Sequence, residues 1–318
     1  MSRVLVTGAT TPIGMSIVRG LSDAGAELVL GVAGPDESRL EPWSDRVRFV
    51  AFDLTRSREA WALMFGPGAE LRIDTVVHTA LHRSASDFGR RVRALNVGST
   101  RELLHLSERH PTVRRFVQRS FVDVYRIRAE EPTILEEDHP VELSPKTPQW
   151  IRDRVEADLS VCVRMGMSRL SVAVLRAAEC LAPSSGSQLY DFFRARVCLR
   201  PLGFDPILNL ASPDDIARAV SLAVSSNVNG VFNIPGRDTL PLSEAIRLAG
   251  RPDVPVPGSI LAPWYRLRGA LADSEFRYDQ NASRFHYGGV LSGRRAKEVF
   301  GYEPRTSMDW DAIRRMRP

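Results

Sequence analysis

The strongest constraint in this chain is a repeated alternation of short, continuously apolar runs with stretches of helical spacing. Runs at Arg3–Thr7, Leu28–Ala33, Val47–Phe52, Thr75–His78, Val113–Arg119 and Ser171–Arg176 read as strands. Between them, Ile13–Ala24, Arg58–Phe65, Phe88–Arg109 and Pro148–Met165 carry helical patterns. Alternation on this spacing predicts βαβ units, right-handed crossovers and a parallel sheet. The runs are apolar at nearly every position, as expected of a sheet covered by helices on both faces. The expected class is α/β, a doubly wound parallel sheet. After Arg176 the rhythm changes. Ala182–Gly203 is punctuated by Pro, Gly and Ser, Pro213–Val224 is a compact helix, Gly230–Ile234 a late strand, and prolines recur from Pro235 onward. The expected division is a sheet domain of residues 1–181 plus 209–236 and a smaller lobe of 182–208 plus 237–318. The lobe should cover the carboxyl edge of the sheet, where open α/β folds bind ligands.

The first strand runs into the first helix through Val4-Leu-Val-Thr-Gly-Ala-Thr-Thr-Pro-Ile-Gly14. Gly8 allows a tight turn, and Gly14 allows the helix to pack close to the strand. A helix start offers free N–H groups and partial positive charge to a pyrophosphate. Ile13 lies in that first turn. Thr11 stands where a small residue would let the phosphates approach the backbone, so its side chain should obstruct or shift them. Thr11 followed by Pro12 is also a sufficient N-cap and N1 pair with no ligand at all. Nucleotide binding and a plain helix start are both consistent with this turn.

Charge narrows the partners. The net charge is +5, but Arg83 to Arg128 holds 11 arginines against 4 acids, while Ala129 to Asp158 holds 9 acids against 3 bases. The second stretch can neutralise the first, which argues against a nucleic-acid platform with its continuous basic face. Three cysteines, Cys162, Cys180 and Cys198, have no metal-ligand spacing and cannot all pair, so a cytoplasmic setting is expected. No metal site is expected. No apolar run is long enough to span a bilayer, and the first strand begins too close to Met1 for a signal peptide.

Further segments, in order along the chain, carry a resemblance. The Gly8–Gly14 turn resembles the Thr-Gly-x-x-Gly-x-x-Gly turn of the short-chain dehydrogenase/reductase superfamily. Asp53-Leu54, His78-Thr79-Ala80, Asn96-Val-Gly-Ser-Thr100, Arg176 with Pro183, Pro213-Asp-Asp-Ile-Ala217 and Gly301-Tyr-Glu-Pro304 resemble motifs of its extended, epimerase/dehydratase-like branch, typified by nucleotide-sugar 4-epimerases. The resemblance implies a Rossmann-type fold. It implies a cofactor site of Gly8, Thr11, Pro12, Ile13, Gly14, Asp53, Leu54, His78, Ala80 and Asn96. A substrate pocket near His82, Arg83, Tyr125 and Arg176 follows from it too, as does a homodimer through the helices at Phe88–Arg109 and Pro148–Met165. An acidic residue to clamp the ribose belongs at the end of the second strand. That end reads Gly31-Val-Ala33-Gly34, with Asp36 and Glu37 falling late. NAD and NADP are both open, with binding weakened or absent.

The family's chemistry uses a tyrosine whose phenol is lowered by a lysine four residues later, with a Ser or Thr from the fifth strand. The chain's lysines are Lys146 and Lys297, and the residues four before them are Glu142 and Gly293, so no register contains the pair. In the matching positions the hydroxyl becomes Phe121, with Ser120 one place early, the tyrosine becomes Trp150 and the lysine becomes Arg154. Indole has a donor N–H and no proton to give, and guanidinium stays protonated. Tyr125, His78, His82 and Asp123 are further acid/base candidates near the pocket rim, and His139 reads as a loop residue. Trp150 is expected to fill the vacated pocket and Arg154 to pair with Asp158 at i,i+4. On the same helix, Val155, Leu159, Cys162 and Val163 are expected to form the apolar stripe. Two readings result: a non-redox protein with a sensor, scaffold or partner-binding role, or an enzyme with a rebuilt site for an anionic or sugar-nucleotide-like substrate held by Arg154 and Arg176.

Overall fold

The computed structural model describes residues 2–35, 41–82, 87–271 and 275–316. Arg83, Asp36 and Glu37 lie outside them. Seven parallel strands form the central sheet: β1 (Arg3–Thr7), β2 (Leu28–Ala33), β3 (Val47–Ala51), β4 (Thr75–His78), β5 (Arg115–Phe121), β6 (Ser171–Ala177) and β7 (Gly230–Ile234). Their spatial order is β7-β6-β5-β4-β1-β2-β3. The order reverses at β1, and the crevice beyond the carboxyl ends of β1 and β4 is where such sheets take a ligand.

Both faces are covered. Val4 and Val6 of β1 point into a core closed by α1 (Pro12–Asp23) and the helix Pro213–Ser226. Leu5 points into the opposite core, closed by α2 (Ser57–Phe65) and α3 (Ser99–Arg109). This alternation on a strand with no polar side explains the continuous apolar runs. A third core gathers Phe192, Phe193, Leu242, Ile246, Tyr265, Phe276 and Phe285 from the carboxyl-terminal half. Phe300 and Tyr302, also late in the chain, join the first core, with Phe300 5.1 Å from Phe232 on β7.

Three local expectations change. The helix expected at Phe88–Arg109 starts at Arg90, because Phe88 is 82% exposed and Gly89 has φ +107°, and its Arg90–Arg93 turn runs through a π-helical segment at Ala94–Gly98 into α3. The π segment carries Asn96, whose Oδ1 accepts the His82 N–H at 2.7 Å. Strand β5 starts at Arg115, two residues later than the apolar pattern, because the N–H groups of Arg114 and Arg115 both go to the Asp74 carbonyl. On α4 (Gln149–Cys162), the expected apolar stripe fails at Val163, which is 64% exposed, while Trp150, Arg154 and Asp158 are buried.

The basic and acidic stretches do meet. Arg93 reaches Asp153 and Glu156, Arg101 reaches Glu156, and Arg126 reaches Glu131. Among the described residues no helix is long and apolar enough to cross a membrane.

Candidate functional site

A cleft of about 860 Å³ opens at the carboxyl ends of β1 to β4. Its walls include Gly8, Thr11, Ala33, Asp53, Leu54, Ala80 and His82 from the sheet side, and Ala182–Ser187, Tyr190 and Arg194 from the later chain. That volume lies within the usual range for small-molecule sites.

Gly8 turns the chain with φ +67°, and α1 starts four residues later. Gly14 packs so tightly that a Cβ there would strike the Gly8 carbonyl. Thr11 caps the helix: its Oγ1 accepts the Gly14 N–H at 2.9 Å and donates to the Gly8 carbonyl at 3.0 Å. Pro12 has no N–H, so the Ile13 N–H is the member of the first turn left without a partner among the described residues. Thr11 thus both lines the cleft and consumes a donor that an anion would use. A Thr11→Gly protein is expected to lose only a few tenths of a kcal/mol of stability and to bind adenosine diphosphate several-fold more tightly by calorimetry. Unchanged affinity would show that Thr11 does not obstruct the turn.

Asp53 follows β3, where its Oδ1 accepts both the N–H and the hydroxyl of Thr55. Beyond β2 the wall is Ala33, Gly34 and Pro35, with no acidic side chain among the described residues. His78 does not face the cleft. It is 2% exposed, wedged between Thr7 Oγ1 (2.9 Å) and Thr100 Oγ1 (3.0 Å), and burial pulls it down to about 4, so the ring is neutral. His82 stands in the wall with its Nε2 2.7 Å from Asp87.

The substrate-pocket candidates divide. Tyr125 is 1% exposed, donates its hydroxyl to Asn233 Oδ1 at 2.7 Å and is pushed by burial up to about 12. Arg176 on β6 binds Asp158 bidentately, at 3.0 and 2.7 Å, and lies over the Tyr125 ring. Neither lines the cleft. The expected Arg154–Asp158 pair does not form, because Arg176 offers Asp158 a two-pronged partner and Ser120 adds a 2.5 Å bond. His139 is 8% exposed and bonds the Arg126 carbonyl.

Phe121, Trp150 and Arg154 come together. The Arg154 guanidinium sits 4.1 Å from the Phe121 ring centre and 4.7 Å from that of Trp150. It pairs with Asp123 and donates to the Gly186 carbonyl at 2.7 Å. Trp150 donates its indole N–H to Gln280 Oε1 at 2.7 Å. Asp123 also binds Arg284, which lies 3.8 Å from Glu179. Arg119 stacks at 4.4 Å from Phe121. Burial lowers Arg154 and Arg119 to about 10 and Arg284 to about 9, so all three remain charged at neutral pH. Two cavities of about 20 and 10 Å³ remain around this group, each room for about one water. Leu81 and Gly186 approach between the group and the cleft: a Cβ on Gly186 would lie 2.9 Å from Leu81 Cδ2. Arg119, Glu179, Arg284 and Gln280 carry no sequence signal, since their partners come from distant segments.

Fold and cleft together define an α/β protein with a doubly wound, Rossmann-type sheet and an open cleft at its carboxyl edge. The chain belongs to the NAD dependent epimerase/dehydratase family, whose model matches residues 4–188. An uncharacterized protein of Mycobacterium tuberculosis is 29% identical over 310 residues, covering 95% of this chain and 80% of that one. Among solved structures, the UDP-glucuronic acid 4-epimerase of Bacillus cereus in complex with NAD superposes with a TM-score of 0.69 at 18% identity, over 98% of this chain and 96% of that one. DesIV, a dTDP-glucose 4,6-dehydratase of Streptomyces venezuelae with NAD and TYD bound, gives 0.70 at 20% identity, over 99% and 95%. At such identities the likeness establishes the fold.

Proposed function

We propose that this chain is a non-redox member of its family that holds the adenosine diphosphate half of a nucleotide in the cleft and signals or scaffolds through that binding. The observation that carries the reading is the filled space beside Phe121 and Arg154, where only about 20 Å³ is left and Trp150 stacks on the guanidinium. The cleft fits one half of a dinucleotide: the Gly8 turn for phosphates, and the Asp53–Leu54 edge with the Ala33–Pro35 wall for adenosine. On this reading the other half is excluded. A nicotinamide ring needs an open face beside the acid/base group, and that place holds stacked side chains behind Leu81 and Gly186. Of the residues at the matching positions, Phe121 and Trp150 have no proton to give and take at neutral pH, and Arg154 stays charged.

An enzyme with a rebuilt site for an anionic substrate is the second reading, and it would need Arg154 and Arg176 free. Both are already paired inside the protein, with Asp123 and Asp158. Calorimetric titration separates the readings. Adenosine diphosphate and ADP-ribose should bind at least as tightly as NAD, NADH, NADP or NADPH, and sugar nucleotides should elicit no hydride exchange. Turnover of a nicotinamide cofactor with any sugar nucleotide or carbonyl compound would overturn the proposal.

A further inference from the structure

The cluster around Phe121 does not balance its charge. Arg119, Arg154 and Arg284 bring three guanidiniums, and Asp123 and Glu179 bring two carboxylates. Glu179 feels both Arg119 and Arg154, and burial raises it. The next carboxylate, Asp191, stands in the cleft wall beside Arg194, with burial raising it to about 7. Arg119 is the member without a carboxylate of its own. It is 7% exposed, and among the described residues its Nε has no acceptor and its one hydrogen bond is a 3.5 Å contact from Nη2 to the Ser185 carbonyl.

A buried guanidinium with an idle N–H is strongly unfavourable unless a partner enters. Space for one exists. Arg119, Phe121 and Arg154 line both small cavities, of about 20 and 10 Å³. Asp123 and Glu179 also line the smaller, so an anion's place is the larger, whose room for about one small guest excludes phosphate, sulfate and the carboxylates of metabolites. From these observations we propose that the cavity beside Arg119 and Arg154 is a binding site for one small monovalent anion of chloride or bromide size. The ion completes the charge balance and accepts from the Arg119 Nε–H. It would lie apart from the nucleotide cleft, behind Leu81 and Ser185, and does not depend on the reading given above.

The test compares thermal unfolding of the whole protein in potassium chloride and in potassium gluconate at equal ionic strength. Chloride should raise the midpoint saturably by about 2–4 °C over gluconate, whose anion cannot enter. In Arg119→Met the chloride dependence should vanish, and the variant in gluconate should be at least as stable as the wild type, because an uncompensated charge has gone. Equal midpoints for the wild type in both salts would overturn the proposal, as would a variant that keeps the chloride response. Should the variant fail to fold, bromide-soaked wild-type crystals decide. An anomalous peak within hydrogen-bonding distance of Arg119 Nε supports the site, and water density without a peak there refutes it.

Discussion

An Asp158→Ala protein should lose about 3–5 kcal/mol of stability, the cost of leaving a buried charge without its partner. Asp158 is fully buried on α4 and takes two bonds from Arg176 and one from Ser120. Removing it strands the Arg176 guanidinium, which is 4% exposed and stacked on Tyr125. The other Arg176 contact, a 3.1 Å bond to the Glu137 carbonyl, cannot neutralise the charge. Removing both partners is a different experiment. Asp158→Ala with Arg176→Met leaves no lone charge and should recover much of the loss. Urea unfolding of the two variants measures both quantities. A single variant within about 1 kcal/mol of the wild type would mean that water reaches Arg176 and that the pair is not a structural tie.

Gly14→Ala should unfold more readily and lose nucleotide binding together. Two effects oppose at this position. Alanine within a helix is favoured over glycine by about 1 kcal/mol. The added methyl, however, would strike the Gly8 carbonyl, a backbone atom at the centre of the turn. Overpacking against backbone costs about 1–3 kcal/mol and sometimes more, so the steric term wins. Relief requires α1 to move away from β1, which displaces Thr11 and the Ile13 N–H from the cleft. Calorimetry with ADP-ribose should show at least a tenfold loss of affinity. Retained affinity with reduced stability would place the ligand's phosphates away from this turn.

The sheet was legible because its signal is local. Most strand runs are predominantly apolar, and the edges of β1, β2, β4 and β7 coincide with those runs. Gly8, Thr11 and Gly14 were legible for the same reason, since a turn and a cap depend on a few consecutive residues. Pairing across the chain was not. On spacing, Arg154 and Asp158 are helical neighbours, yet each bonds a partner from another element, Asp123 and Arg176. Nothing in the sequence near Trp150 points to Gln280, or near Asp123 to Arg284. The helix expected at Phe88–Arg109 was read from periodicity, which does not register a π segment. His78 and Tyr125 carry family-like motifs, but burial and hydrogen bonding turn both into struts.

The position of Arg154 has a consequence for how such a protein changes over generations. Its guanidinium ties α4 to Asp123, to the Gly186 loop and to two aromatic rings. Exchanging it for lysine removes the fork that makes several of these bonds at once. Exchanging Trp150 for tyrosine gives up the bond to Gln280. Each step towards a tyrosine–lysine pair therefore weakens the folded chain. A tyrosine–lysine pair cannot be introduced one substitution at a time without passing through less stable intermediates, and the present arrangement is in that sense a ratchet.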